Sequence, residues 1–161
     1  MSLKNRLTTL LDELGYDFRT FTTEGFIHHV ERLKARKILF TDWDLPPGLF
    51  GLWITDTIQP LEYIFIAQDL PPILRTHVQL HEIGHILCGH PTLKYDGTTA
   101  ITDLLPLFRS NLYTNSMELE AETLAALVQT RVFRYSLGHE LSISVSSRPD
   151  TAEFLKAMGL V

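Results

Sequence analysis

The sequence predicts one α+β domain: a small antiparallel sheet of about three strands packed against a candidate active-site helix and a second ligand-bearing helix, with further helices at the N-terminus. Three observations carry this. Apolar residues recur at helical spacing in separate stretches. Between residues 37 and 67 the pattern changes to β-branched and aromatic runs punctuated by Pro, Gly and Asp. A chain of 161 residues with 45% hydrophobic content is long enough for one proper core, and nothing in it suggests two domains.

Leu3, Leu7, Leu10, Leu11 and Leu14 place a helix over residues 2–14, stopped by Gly15. Residues 24–35 give a second, with Phe26, Ile27, Val30 and Leu33 on one side. Strands follow at Lys37–Thr41, Phe50–Thr55 and Leu61–Ala67, separated by Pro46-Pro47-Gly48 and the segment 56–60. Pro71-Pro72 opens the next helix, over about 73–89, and Gly89-His90-Pro91 closes it. Its Leu74, Val78, Leu80, Ile83, Ile86 and Leu87 are set to face a core, leaving His77, His81 and His85 as a stripe on another side.

That helix carries the chemistry. Residues 81–85 read His-Glu-Ile-Gly-His, the HExxH pattern. Two histidines four apart lie one above the other on a helix face, so both imidazoles reach one zinc ion at about 2.0 Å. Glu82 flanks that face as the general base, taking a proton from the attacking water without being a ligand. A lone histidine on such a helix is as often an ordinary solvated residue, but the whole pentapeptide is far less often so.

A zinc ion held by two histidines needs a third protein ligand and one open position. The segment Glu118-Leu119-Glu120-Ala121-Glu122 lies on a helix predicted over 116–134, with Asn115 or Ser116 as its N-cap. Glu118 and Glu122 share a face and Glu120 points elsewhere. Glu118 is assigned to the metal, and Glu122 to a ring nitrogen of a ligand histidine. The competing reading is that carboxylates simply favour the first turn of a helix; beside the HExxH pattern the metal assignment is the stronger.

These two segments, HEIGHILCGH and ExEAExLAA some thirty residues on, resemble the ImmA/IrrE family of bacterial metallopeptidases over about residues 37–130. The family pattern is HELGH followed by ExEA(N/D)xFA; here Leu124 replaces the customary Phe, and Leu127-Val128-Gln129-Thr130 replaces the customary Leu-Leu-Met-Pro. The resemblance implies the gluzincin arrangement, with Glu118 the ligand and Glu122 its support. It also implies an endopeptidase acting on a bacterial transcriptional repressor, typically a helix-turn-helix protein, in a stress response or mobile-element induction. A reading from another class is a non-catalytic metal-binding interaction module that sequesters a repressor or toxin–antitoxin partner; intact His81, Glu82, His85 and Glu118 argue against it. Coincidence of the motif in a structural helix is the weakest reading.

Other residues compete for these roles. His77 is eight residues from His85, about 12 Å of helix rise, so it is solvated or packed rather than a third ligand on that helix. Cys88 reads as a small packing residue. His28, His29 and His139 have no partner pattern. His90, Tyr95 and Tyr113 are the nearest candidates for an oxyanion donor or substrate contact, and the sequence does not choose among them.

Residues 91–114 form a long connection with the apolar run Leu104–Phe108, read either as a wall of the site or as a short helix closing the core. Ser142-Ile143-Ser144-Val145 alternates like a strand, and residues 150–158 suit a last helix. A net charge of −5 and a pI near 5.8 offer no basic stripe for nucleic acid. One cysteine excludes an internal disulfide and suits a reducing compartment. With no apolar leader and no run long enough to span a bilayer, a cytoplasmic protein is expected.

Overall fold

The computed structural model describes residues 1–109 and 112–144. Its elements are α1 (Leu3–Glu13), α2 (Thr23–Lys34), β1 (Lys37–Trp43), β2 (Gly51–Asp56), β3 (Leu61–Ala67), α3 (Pro72–Leu87), β4 (Leu93–Tyr95), α4 (Ile101–Leu104) and α5 (Asn115–Ser144), with short 3₁₀ turns at Phe18–Thr20 and Leu105–Arg109. The α+β class holds, and the sheet differs in two respects from the expected one. It has four strands, and it is mixed: the order is β1-β3-β2-β4, with β1 parallel to β3, β2 antiparallel to β3 and β4 parallel to β2.

The reason lies in burial. β3 is buried along most of its length, whereas β1 is largely exposed, so β3 takes a central position and β1 the rim. One face of the sheet, through Ile38, Trp53, Ile64 and Ile66, packs against α1, α2, α3 and α5 around Leu7, Leu11, Phe26, Val30, Ile83 and Leu124. The opposite face, through Leu52, Ile54 and Phe65, is covered by Ile101, Leu104 and Leu105. The apolar run after residue 100 is therefore a short helical cover, and the residues just beyond it, Leu112 to Thr114, wall the cleft described below.

Local chemistry sets the helix ends. Ser2 and Thr22 cap α1 and α2 by accepting from Asn5 N–H (3.2 Å) and Gly25 N–H (3.0 Å). α3 starts with Pro72 in its first turn, where the missing N–H costs nothing. α5 is capped by Thr114, whose hydroxyl accepts from Met117 N–H at 3.2 Å, not by Asn115 or Ser116. α5 also runs on past 134, so Ser142 to Ser144 are helical, not a strand; Val145, the expected helix at 150–158 and the His139 side chain lie outside what is described. Two residues expected inside are not: Leu33 is 52% exposed, and Leu74 is on the cleft wall.

Buried polar groups are bonded where they hold the frame. Arg36 bridges Glu62 (Nε to Oε1, 2.6 Å) and the carbonyls of Asp56 and Leu61, tying the loop after α2 to β2 and β3. His29 Nε2 bonds the Leu14 carbonyl and His28 bonds Glu31, so both act as structural residues. None of the described helices is long and apolar enough to cross a membrane.

Candidate metal centre

α3 and α5 lie side by side, and their facing residues build the site. His81 and His85, one turn apart on α3, point Nε2 atoms that are 3.1 Å from each other. Glu118, in the first turn of α5, places Oε2 3.2 Å from His81 Nε2 and Oε1 3.4 Å from His85 Nε2. Ligands at about 2.0–2.1 Å from a tetrahedral ion are roughly 3.3 Å apart. The three donors thus stand at the spacing a single zinc ion requires, and the chemistry of the set, two imidazoles and a carboxylate, is that of catalytic zinc sites.

The outward ring nitrogens are also engaged. Glu122 Oε2 is 3.0 Å from His81 Nδ1, and its carboxylate also reaches His77 Nε2 at 2.9 Å. His77 is held further by Gln129 (Nδ1 to Oε1, 2.9 Å), so it buttresses Glu122 from the side. His85 Nδ1 is 2.8 Å from His90 Nδ1, and His90 Nε2 is 2.9 Å from Glu120 Oε2. Glu120 Oε1 takes Arg6 of α1 at 2.6 Å.

Charge in the cluster is arranged unevenly. The bonds from His81 and then His85 hold the Glu118 pKa down to about 2. Burial opposes a charge on His81, yet Glu118, Glu82 and Glu122 together push its pKa up to about 9. Burial lowers that of His85, against the pull of Glu118. Glu82 is 4% exposed, and desolvation raises its pKa to about 7. Its Oε2 is buried with no hydrogen-bond partner. A native structure seldom leaves such an atom alone, and a site that receives water or a polar ligand explains it.

The cluster lies in a cleft of about 740 Å³ walled by Gly48 to Leu52, Leu74, Val78 and Leu112 to Asn115. Of the three residues considered as oxyanion donors, only Tyr113 lines it. Its ring stacks on His85, with centroids 3.9 Å apart and planes within 15°. Tyr95 instead lies on the far face of the sheet against Tyr63 (6.1 Å, edge-on), and His90 is 8% exposed behind His85 with both nitrogens occupied. The spacing argument placed them near the site in sequence; β4 turns one away and the end of α3 tucks the other underneath.

Sequence reasoning missed His77 and Glu120 as neighbours of the site and missed Gly51, and it placed His90 in contact with substrate where the structure places it behind His85. A Cβ on Gly51 would lie 2.9 Å from Glu82 Oε1 and 2.6 Å from Val78 Cγ1, so the strand passes directly beneath the Glu82 carboxylate. The signal for Gly51 was a glycine in an otherwise bulky strand. For His77 and Glu120 there was none, because their partners are 45 and 30 residues away.

No family model, no curated protein and no solved structure matches the chain.

Proposed function

We propose that this chain is a zinc-dependent endopeptidase, with His81, His85 and Glu118 as metal ligands, Glu122 as the support of His81 and Glu82 as general base. The observation that carries the reading is the meeting of three donors at 3.1–3.4 Å beside a buried, unpartnered Glu82 oxygen. When bound, zinc supplies Lewis-acid polarisation of a carbonyl and brings the pKa of a water molecule to about 7.

The chain's own residues do the rest. Glu82, buried beside the three donors with an unpartnered oxygen, accepts the proton of the attacking water and returns it to the departing amine. Gly51 and Leu52 have no β4 partner, since β4 pairs only with Ile54 to Asp56 and Thr92 takes the Trp53 carbonyl, and these two residues of β2 border the cleft. An extended substrate pairing with that edge would place its main chain across the site. Leu49, Phe50, Leu74 and Val78 offer it an apolar wall. The substrate class, a helix-turn-helix repressor cut in a cytoplasmic regulatory response, rests on the ImmA/IrrE resemblance of the two motifs.

The test is direct. Elemental analysis of protein purified without added metal is expected to give close to one zinc per chain, and His81→Ala or Glu118→Ala to remove it. Glu82→Gln is expected to retain zinc and lose cleavage of a co-expressed repressor. Zinc retained in both ligand variants overturns the ligand set, and cleavage by Glu82→Gln overturns the general base. Repressor binding without any cleavage by the wild type replaces the peptidase with the sequestering module.

A further inference from the structure

α3 ends in a Schellman turn. Gly89 adopts φ 69°, its N–H bonds Ile86 O (3.1 Å), and the next N–H, that of His90, bonds His85 O (3.1 Å). This turn normally brings an apolar side chain back against the helix three residues before its cap, here Cys88. Here the returning residue is His90 and the residue it meets is His85, the two joined by a 2.8 Å hydrogen bond between Nδ1 atoms.

We propose that His90, anchored by Glu120 and Arg6, is a positioning residue that holds the His85 ring in the orientation that aims Nε2 at the metal. Arg6 only donates, so it fixes the Glu120 carboxylate as acceptor at 2.6 Å. Glu120 in turn takes a proton-bearing His90 Nε2 at 2.9 Å. His90 Nδ1 then shares one proton with His85 Nδ1 at 2.8 Å, and a ring held by that nitrogen carries Nε2 on its opposite side, among the other donors. The inference rests on His85 being a ligand, and it extends the site to α1, 79 residues away in sequence.

The same neighbourhood allows a rival: Cys88, His90 and Glu120 have potential ligand atoms within 4.8 Å of one another. Two features disfavour a second metal there. Burial pushes the Cys88 thiol up to about 11, so it is not a thiolate near neutral pH, and the Arg6 guanidinium occupies the cation's place on Glu120.

Spectra of the metal-free, ¹⁵N-labelled chain are expected to show a scalar coupling between His85 Nδ1 and His90 Nδ1 across their hydrogen bond. In chelator competition with zinc, His90→Phe is expected to weaken binding by about 10–100-fold, and His90→Gln, whose carbonyl and amide replace the two ring nitrogens, to recover most of it. Should His90→Phe fail to fold, Glu120→Ala at the partly exposed end of the relay serves instead, with a weakened coupling between the two rings and about tenfold weaker zinc binding. No coupling between the two rings in the wild type, or zinc binding undiminished in a folded His90→Phe or Glu120→Ala, overturns the relay. Two zinc ions per wild-type chain, one of them lost in Cys88→Ser, also overturns it. A wild type that binds no zinc sinks the peptidase reading alone, because the coupling between the rings is read without metal.

Discussion

Gly84 of α3 rests directly on Ala121 of α5: a Cβ at position 84 would be 3.0 Å from the Ala121 carbonyl oxygen and 3.1 Å from its Cα. The two helices touch backbone to backbone at the level of the site, between the proposed ligands His81 and His85 on one and beside Glu118 on the other. The variable position before the second histidine of the motif is therefore a spacer that sets how far the imidazoles stand from the carboxylate. In an exposed helix Gly→Ala gains about 0.5–1 kcal/mol, but here the added methyl meets main chain that cannot rotate away, and overpacking costs about 1–3 kcal/mol. Gly84→Ala is expected to lower Tm by a few degrees and to weaken zinc binding roughly tenfold, a change of about 1.4 kcal/mol. Calorimetry and chelator competition measure the two effects. A variant that is more stable and binds zinc as before would show that α3 and α5 can separate without disturbing the ligands.

Gly51 makes a comparable demand on the catalytic side. Its missing Cβ leaves room for the Glu82 carboxylate and for Val78 Cγ1, both of which an alanine would meet at under 3.0 Å. Gly51→Ala is expected to move Glu82 while leaving His81, His85 and Glu118 in place. Zinc content stays near one per chain, and repressor cleavage falls by about 100-fold, within the range general-base catalysis contributes. Loss of zinc and activity together would mean that the strand supports the ligands rather than the base.

How much of this was legible follows from the range of each interaction. The His81-Glu82-His85 motif, the shared face of Glu118 and Glu122 and the span of β3 all rest on periodicity within one element, and a single sequence displays periodicity well. Sheet order depends on which strand is buried on both faces. β1 and β2 look alike in sequence, so the parallel pairing of β1 with β3 was not readable. β4 has three residues, too few for alternation to show. Thr114 as cap lay one residue before the expected positions, an ordinary boundary error. His90 has a local signal, a glycine that stops the helix followed by a side chain that must fold back on it, and this signal points beneath His85 rather than to the substrate contact expected from its place in the sequence.

Glu31 offers a test of the frame rather than of the site. Its carboxylate, 10% exposed, accepts from the Ile38 amide (2.9 Å) and from His28 Nδ1 (2.8 Å), linking α2 to β1. Burial disfavours its charge, but the Ile38 and His28 bonds and the Lys37 ammonium at 4.0 Å outweigh it, so the folded pKa lies below the unfolded one. A group of that sign stabilises above the unfolded carboxylate pKa, and the contribution is lost as pH falls through the folded value. Glu31→Gln is expected to cost about 1.5–3 kcal/mol at pH 7, the usual worth of a bond to a charged group. The gap from wild type should close as pH drops below about 4. Denaturant melts at pH 7 and pH 3 measure it, and an equal difference at both would show that the charge contributes nothing.

Tyr113 combines two roles that substitution separates. Its ring lies flat on His85 at 3.9 Å, and its buried hydroxyl, beside Thr92, lacks a hydrogen bond of good geometry. Burial lifts the phenol pKa above its ordinary value, so the group keeps its proton across the working pH range and remains a donor. Tyr113 lines the cleft, and its hydroxyl, once turned into it, is in the right state to meet charge that develops on a substrate carbonyl. Tyr113→Phe preserves the stack and removes the donor: zinc affinity and Tm should hold, while cleavage falls by about 10²–10³. Tyr113→Ala removes both and should weaken zinc binding as well, since His85 loses the surface that fixes its ring plane. Equal cleavage by wild type and Tyr113→Phe would assign the residue to ring packing only and leave the oxyanion to the metal.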